Sequence, residues 1–306
     1  MSLGAGAAFL LFSCAHAAGA AEPAVEKSAP AETKVLFVIE KGYSKRQPSP
    51  DYGIAPIVLF DGKRFLEPPA GSAGEPLPGA SPEALENAEP PPARDFARKY
   101  YRPGWSYPVF YGAEEIGSAT IAGRAWDGTL TVKAKAQLEL DGGRAAPPRL
   151  LAANFRPARR TGVSRRKASA QEAACLAKLA QVIFKDRGAP PPQAGDGSEG
   201  VEAAALAGDG KFELIGHYKA REDKALHDLF VVATPAPDGC RPTMAKYAYF
   251  EDYAHSDPMR LLDVIDIDGD GMNELITSGG DQTQGGYMIH KKIGEDWRVL
   301  YSSPAP

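Results

Sequence analysis

A chain of 306 residues with 43% hydrophobic and 24% charged residues can bury a sizeable core, and it reads as a folded globular chain of one large or two smaller domains. Its net charge of -4 excludes the broad basic surface that nucleic-acid binders carry, so no DNA or RNA partner is expected. The 32 glycines and 27 prolines gather in a few segments without a repeat period, which excludes a collagen-like chain and marks loops and linkers.

Residues 1–22 form the first element. The apolar run from Ala7 to Phe12, followed by small residues, has the pattern of an export signal and is too short to span a membrane. Within it, Leu11, Phe12, Ser13 and Cys14 resemble the lipobox of bacterial lipoproteins, although no Lys or Arg precedes the apolar run. That resemblance implies that Cys14 becomes the acylated first residue of a mature, lipid-anchored protein. A plain secretory signal cut after Ala17 or Ala20 is the alternative. The expected location is accordingly the periplasm or outer membrane, or else outside the cell. Residues 23–33, rich in Ala, Pro and Glu without apolar periodicity, read as a disordered tether of the kind an anchored domain needs.

An N-terminal β module is expected over 34–155. "KVLFVIEKGY" and "APIVLFDGKRFLEPP" are β-branched and aromatic runs bounded by Gly and Pro, and "YPVFYG", "EIGSATIAGRAW" and "GTLTVKAKAQLEL" alternate around turns. Between them, residues 68–94 are rich in Pro, Gly and Ala and read as a mobile surface loop.

Residues 156–200 hold a basic segment, a helix and a linker. Arg156, Arg159, Arg160, Arg165, Arg166 and Lys167 have no acid among them, which suits a solvated interdomain face. Binding of anionic lipid head groups or glycans is the functional alternative. The helix starts at Ser169, with Glu172 in capping-box spacing, and ends at Lys185, Arg187 and Gly188. Leu176, Leu179, Ala180 and Ile183 form one apolar stripe, read as core packing rather than a cofactor box. Past the signal, only Cys175 and Cys240 remain, and in an oxidising compartment they are either a disulfide pair or two separate thiols. Neither lies in a CxxC or beside a histidine, so redox and metal-thiolate chemistry find no support.

Residues 201–306 read as a second β module of short strands divided by turns. Among them stands "DIDGDGMNEL", residues 266–275, with carboxylates at the first, third, fifth and ninth positions and Gly271 at the sixth, where a sharp turn needs a residue without Cβ. Asp266, Asp268 and Asp270 can converge on one hard cation, with the Met272 carbonyl and Glu274 completing the set. Such an all-oxygen set suits Ca2+ better than Mg2+ and lacks the His or Cys that Zn2+ prefers. An EF-hand is excluded, because position twelve is Thr277 and the flanks "RLLDVI" and "LITSGG" read as strands.

The loop resembles the calcium loops of FG-GAP and VCBS-type repeats, the integrin-α-like family, whose pattern Asp-x-Asp-x-Asp-Gly-x-x-Asp/Glu precedes an apolar strand. Asp266, Asp268, Asp270 and Glu274 match it position by position over about a tenth of the chain. The resemblance implies a structural calcium ion. "GDGKFELIG" at 208–216 parallels "GDGMNELIT" at 269–277, either as a decayed duplicate or as two Gly-containing β-turns. Ala205 and Ala207 stand there in place of Asp266 and Asp268, so that copy is not expected to bind calcium.

His16, His217, His227, His255 and His290 form no HExxH pair, and no GxSxG elbow or phosphate-cradling loop occurs. "HSDP" at 255–258 reads as a turn, with Asp257 an outside candidate for one more calcium ligand. The expected fold is mainly β, two antiparallel β modules joined by one amphipathic α-helix. The expected role is an exported or envelope-anchored, non-catalytic binding or structural protein with a protein or glycan ligand. An envelope-polymer hydrolase whose site lies in the first module is the alternative.

Overall fold

The computed structural model describes residues 32–41, 52–70, 90–125, 132–143, 147, 149–157, 164–194, 200–207, 209–279 and 286–303. The signal with Cys14, the tether as far as residue 31, the Pro-rich stretch 71–89, and Arg159 and Arg160 lie outside the described residues.

The first half supplies β1 (Lys34–Lys41), β2 (Tyr52–Phe60), β3 (Phe65–Leu66), β4 (Ser106–Tyr111), β5 (Glu114–Ala125), β6 (Lys133–Leu140) and β7 (Arg149–Ala153). Every pairing is antiparallel. Because β1 pairs with both β7 and β2, and β2 with β6, the path β1-β7-β4-β5-β6-β2 closes into a six-strand ring with β3 appended to β2. Alternation along β1 sorts the two surfaces: Val35, Phe37 and Ile39 turn inward, while Leu36 and Val38 turn outward. Alanines 119, 134, 136 and 152 are small enough to pack beside Phe37 in the filled interior.

A helix, α1 (Pro91–Tyr100), packs Ala93, Phe96, Ala97 and Tyr100 into that interior cluster. It begins inside the stretch expected to be a loop as far as residue 94, and it is a second helix beside the one the sequence predicts after Ser169. The prolines that suggest a loop occupy the first helical turn, where an N–H would have no intrahelical partner.

The second sheet contains β8 (Arg165–Lys167), β9 (Gln193–Ala194), β10 (Glu202–Ala204), β11 (Glu213–Glu222), β12 (Ala225–Ala236) and β13 (Gly239–Phe250), in the order β13-β12-β11-β10-β8 with β9 beside β11. Across its outer face lies α2 (Ala170–Asp186), begun by the expected capping box of Ser169 and Glu172. Its buried line is Leu176, Ala180 and Phe184, with Leu179 and Ile183 at the margin. Cys175 and Cys240 form a disulfide between this helix and β13.

The last sheet runs β14 (Arg260–Ile265), β15 (Glu274–Ser278), β16 (Tyr287–Ile293) and β17 (Asp296–Ser302) in sequence order. One face, with Ile265, Ile276 and Ile289, packs on Leu36, Val38, Ile57, Phe110 and Leu151 of the ring's outer wall. The other, with Val264, Leu275 and Met288, packs on Ile215, Phe230, Val232 and Met244 of the second sheet. This central sheet is therefore covered on both sides, and each of its large apolar side chains contributes roughly 1.5–3 kcal/mol by leaving water. Glu32–Pro306 forms one compact unit in consequence.

Candidate cation site in the 266–274 loop

Antiparallel pairing of β14 with β15 puts Ile265 opposite Glu274, so residues 266–273 are the hairpin's turn. Gly269 and Gly271 sit at φ 86° and 87°, left-handed conformations that a side chain resists. The carboxylates fold the turn by accepting from backbone amides. Asp266 accepts from Gly269 N (2.7 Å) and Gly271 N (3.0 Å), Asp270 from Met272 N (2.9 Å), and Glu274 from Ile267 N (2.7 Å). Lys34 Nζ donates to Ile267 O at 2.6 Å, and Asn273 Nδ2 donates to Ala205 O at 2.7 Å, tying the turn to the ring and to the second sheet.

The cation at this turn comes from β16. Alternation on that strand turns Ile289 and Lys291 toward the ring, and Met288, His290 and Lys292 toward the second sheet. Lys291 Nζ pairs with Asp268 Oδ2 and lies 2.8 Å from Asp270 Oδ2 and 3.0 Å from Glu274 Oε1, with only 7% of its side chain exposed. On the opposite face Lys292 pairs with Glu213, the residue that parallels Glu274 in the 208–216 segment. Both acids open strands, and both meet a lysine of β16.

Burial works against the charges of Glu274, Asp270 and Lys291. It pushes the Glu274 carboxyl up to about 7, against the pull of the Ile267 amide and Lys291. It also works upward on Asp270, but Lys291 and the Met272 amide outweigh it and hold that carboxyl below its usual value. Burial would lower the Lys291 ammonium, yet the hydrogen bonds it donates to Asp268, Asp270 and Glu274 hold it above the ordinary lysine value.

Oxygens of Asp266, Asp268 and Glu274 lie within 4.8 Å of one another, close enough for one ion to bridge. The point on which Asp268, Asp270 and Glu274 converge is taken by the Lys291 ammonium, and Met272 enters through its amide N–H to Asp270. Asp257 precedes β14 at the open end of the hairpin, so the structure does not bring it to the turn.

Sequence reasoning missed Lys291. Its signal was a charged residue at a position of β16 whose neighbour two residues back, Ile289, is fully buried. Arg165 was also misplaced by the reading of its segment as a solvated face. It is buried, paired with Glu202 and Asp263, and held above even its ordinary value by those acids against burial. Arg156 and Arg166 pair with Glu115 and Glu172.

Two histidine clusters lie in the second sheet. His217 Nε2 is 2.5 Å from Asp228 Oδ1 in the buried interior, and His227 Nδ1 is 2.6 Å from the Tyr247 hydroxyl. Comparison with protein-family models, with curated proteins and with solved structures gives no match.

Proposed function

We propose that this chain is an exported or envelope-anchored binding or structural protein, in which the acidic loop organises the fold and does no chemistry. One observation carries this reading: the loop's carboxylates are engaged by the chain's own donors, the turn amides and Lys291. A metal-activated reaction would need an open coordination position there. The signal pattern supports export, and the lipobox resemblance supports anchoring through Cys14. Calcium enters as the ion that this all-oxygen donor set would take if Lys291 withdrew.

A cleft of about 300 Å³ between the end of α1 and the start of β4 is the place where a glycan or protein ligand would bind. Tyr100, Trp105, Tyr107 and Phe155 line it with Lys99 and Arg156. Trp105 is 43% exposed, with the Arg102 guanidinium over its ring, and its exposed part would meet a sugar ring or a peptide side chain. The hydrolase alternative required a site in residues 34–155. The apolar filling of the ring by Phe37, Phe96, Tyr107 and Ile121 opposes one in its interior.

The test uses the full chain in a bacterial host. Metabolic labelling with a palmitate analogue should mark the chain, and Cys14→Ser should release it unlabelled into the soluble fraction. Soluble envelope glycan fragments should then quench tryptophan fluorescence in the wild type but not in Trp105→Ala. Retention in the cytoplasm, or hydrolysis of those fragments, would overturn the reading.

A further inference from the structure

We infer that Lys291 is the resident cation of the 266–274 loop: its ammonium supplies from within the chain the positive charge on which the carboxylates converge, so the loop assembles without metal. The inference stands apart from the functional reading, because it concerns what holds the loop together and not where the protein acts.

The stoichiometry of donors supports it. An ammonium has three N–H donors and no acceptor, and Lys291 has three carboxylates within reach, Asp268, Asp270 and Glu274. Asp266, the fourth acid, is met by two turn amides. Glu274 also bonds the Ile267 amide, so each acid of the loop has a positive or polar partner from the protein itself.

The position of the lysine is set by the sheet. Lys291 lies within β16, opposite Arg298 of β17, and Ile289, two residues back on the same strand, is packed against the ring. An entering dication would have to swing the ammonium out against three ion pairs. It would also meet a second ammonium at the same turn, Lys34 on the Ile267 carbonyl.

A metal-held loop and a lysine-held loop respond oppositely to three manipulations. Wild-type protein should unfold at the same temperature in excess chelator as in millimolar CaCl2, and calorimetric titration with CaCl2 should give no binding heat. Lys291→Met removes the ammonium, keeps most of the stem, and leaves the acids unpaired. It should unfold at lower temperature in chelator and regain about 5 °C or more when calcium reaches about a hundred times its dissociation constant. Asp268→Asn weakens the lysine's cradle and should lower the unfolding temperature equally in chelator and in calcium. Micromolar calcium binding by the wild type would overturn the inference. So would a folded Lys291→Met protein indifferent to calcium, or a loss in Asp268→Asn confined to calcium buffer. If Lys291→Met does not fold, the wild-type titration and Asp268→Asn decide the matter.

Discussion

Arg165 and Asp263 are 98 residues apart in the chain, yet Nη1 of the one lies 2.8 Å from Oδ1 of the other, with 6% and 2% of their side chains exposed. The same carboxylate oxygen accepts from Gly112 N at 2.8 Å, and the same guanidinium pairs with Glu202, bonds Leu262 O and lies over the Tyr111 ring. One ion pair thus links β8 of the second sheet, β14 of the central sheet and the β4–β5 turn of the ring. Burial pushes the Asp263 carboxyl above its usual value, although Arg165 and the Gly112 and Val264 amides pull it down.

Removing one partner should cost far more than removing both. Arg165→Met leaves Asp263 buried and unpaired, and urea unfolding should show a loss of about 3–5 kcal/mol. The double variant Arg165→Met, Asp263→Leu should recover much of that loss, because well-packed apolar groups often replace a buried pair at little cost. A double variant no more stable than the single one would contradict this account.

Gly112 tests the geometry of the same junction. It sits at φ 61°, and a Cβ there would lie 2.5 Å from Arg165 Cβ. Gly112→Ala should therefore lose roughly 2 kcal/mol or more, combining backbone strain with displacement of the arginine. Thermal unfolding reads the loss directly, and an unchanged midpoint would mean that the turn can shift without penalty.

The acid side of the stability profile should report His290. Burial, with the Lys246 charge as a lesser cause, lowers its folded value from 6.5 to about 4, and its Nε2 lies 3.2 Å from Thr277 Oγ1. Between those values the unfolded chain binds the proton and the folded chain does not. This contribution is therefore intact above 6.5 and is lost as the pH falls toward 4, by up to about 3 kcal/mol. Urea midpoints measured across that window should drop in the wild type and drop less in His290→Gln.

Reduction should loosen the second sheet from its helix. The Cys175 to Cys240 disulfide closes a 65-residue loop, which corresponds to about 4 kcal/mol of unfolded-state entropy. Unfolding with and without dithiothreitol should differ by that order, and Cys175→Ser should abolish the difference.

Several of these elements were legible in the sequence because their causes are local. The cap of α2 is a matter of Ser169 and Glu172 three residues apart, and the turn at 266–273 needs only aspartates that can reach nearby amides around Gly269 and Gly271. The strands from Glu213 to Ser302 follow from short apolar runs between turn residues. The mainly β, antiparallel character of the fold follows from the same signals. Local rules misled at Pro91 and Pro92, where helix-breaking residues stand at the one place in a helix that accepts them.

By itself, then, the sequence determined most of the longer strands, the long helix, the turn and the acids gathered in it, whereas β8 and β9 fell in a stretch expected to be a basic segment and linker. Tertiary structure alone decided that the first strands close into a ring through β1, β2 and β6, that the last sheet lies between two others, and that Arg165 is an interior charge. It also decided which cation meets the loop, because Lys291 is 23 residues from Asp268 and reaches it only through the pairing of β15 with β16. Periodicity says that a strand has two faces. Which face meets an acid, an isoleucine or water depends on packing between segments far apart in the chain, where burial makes each unpaired charge costly and so selects its partner.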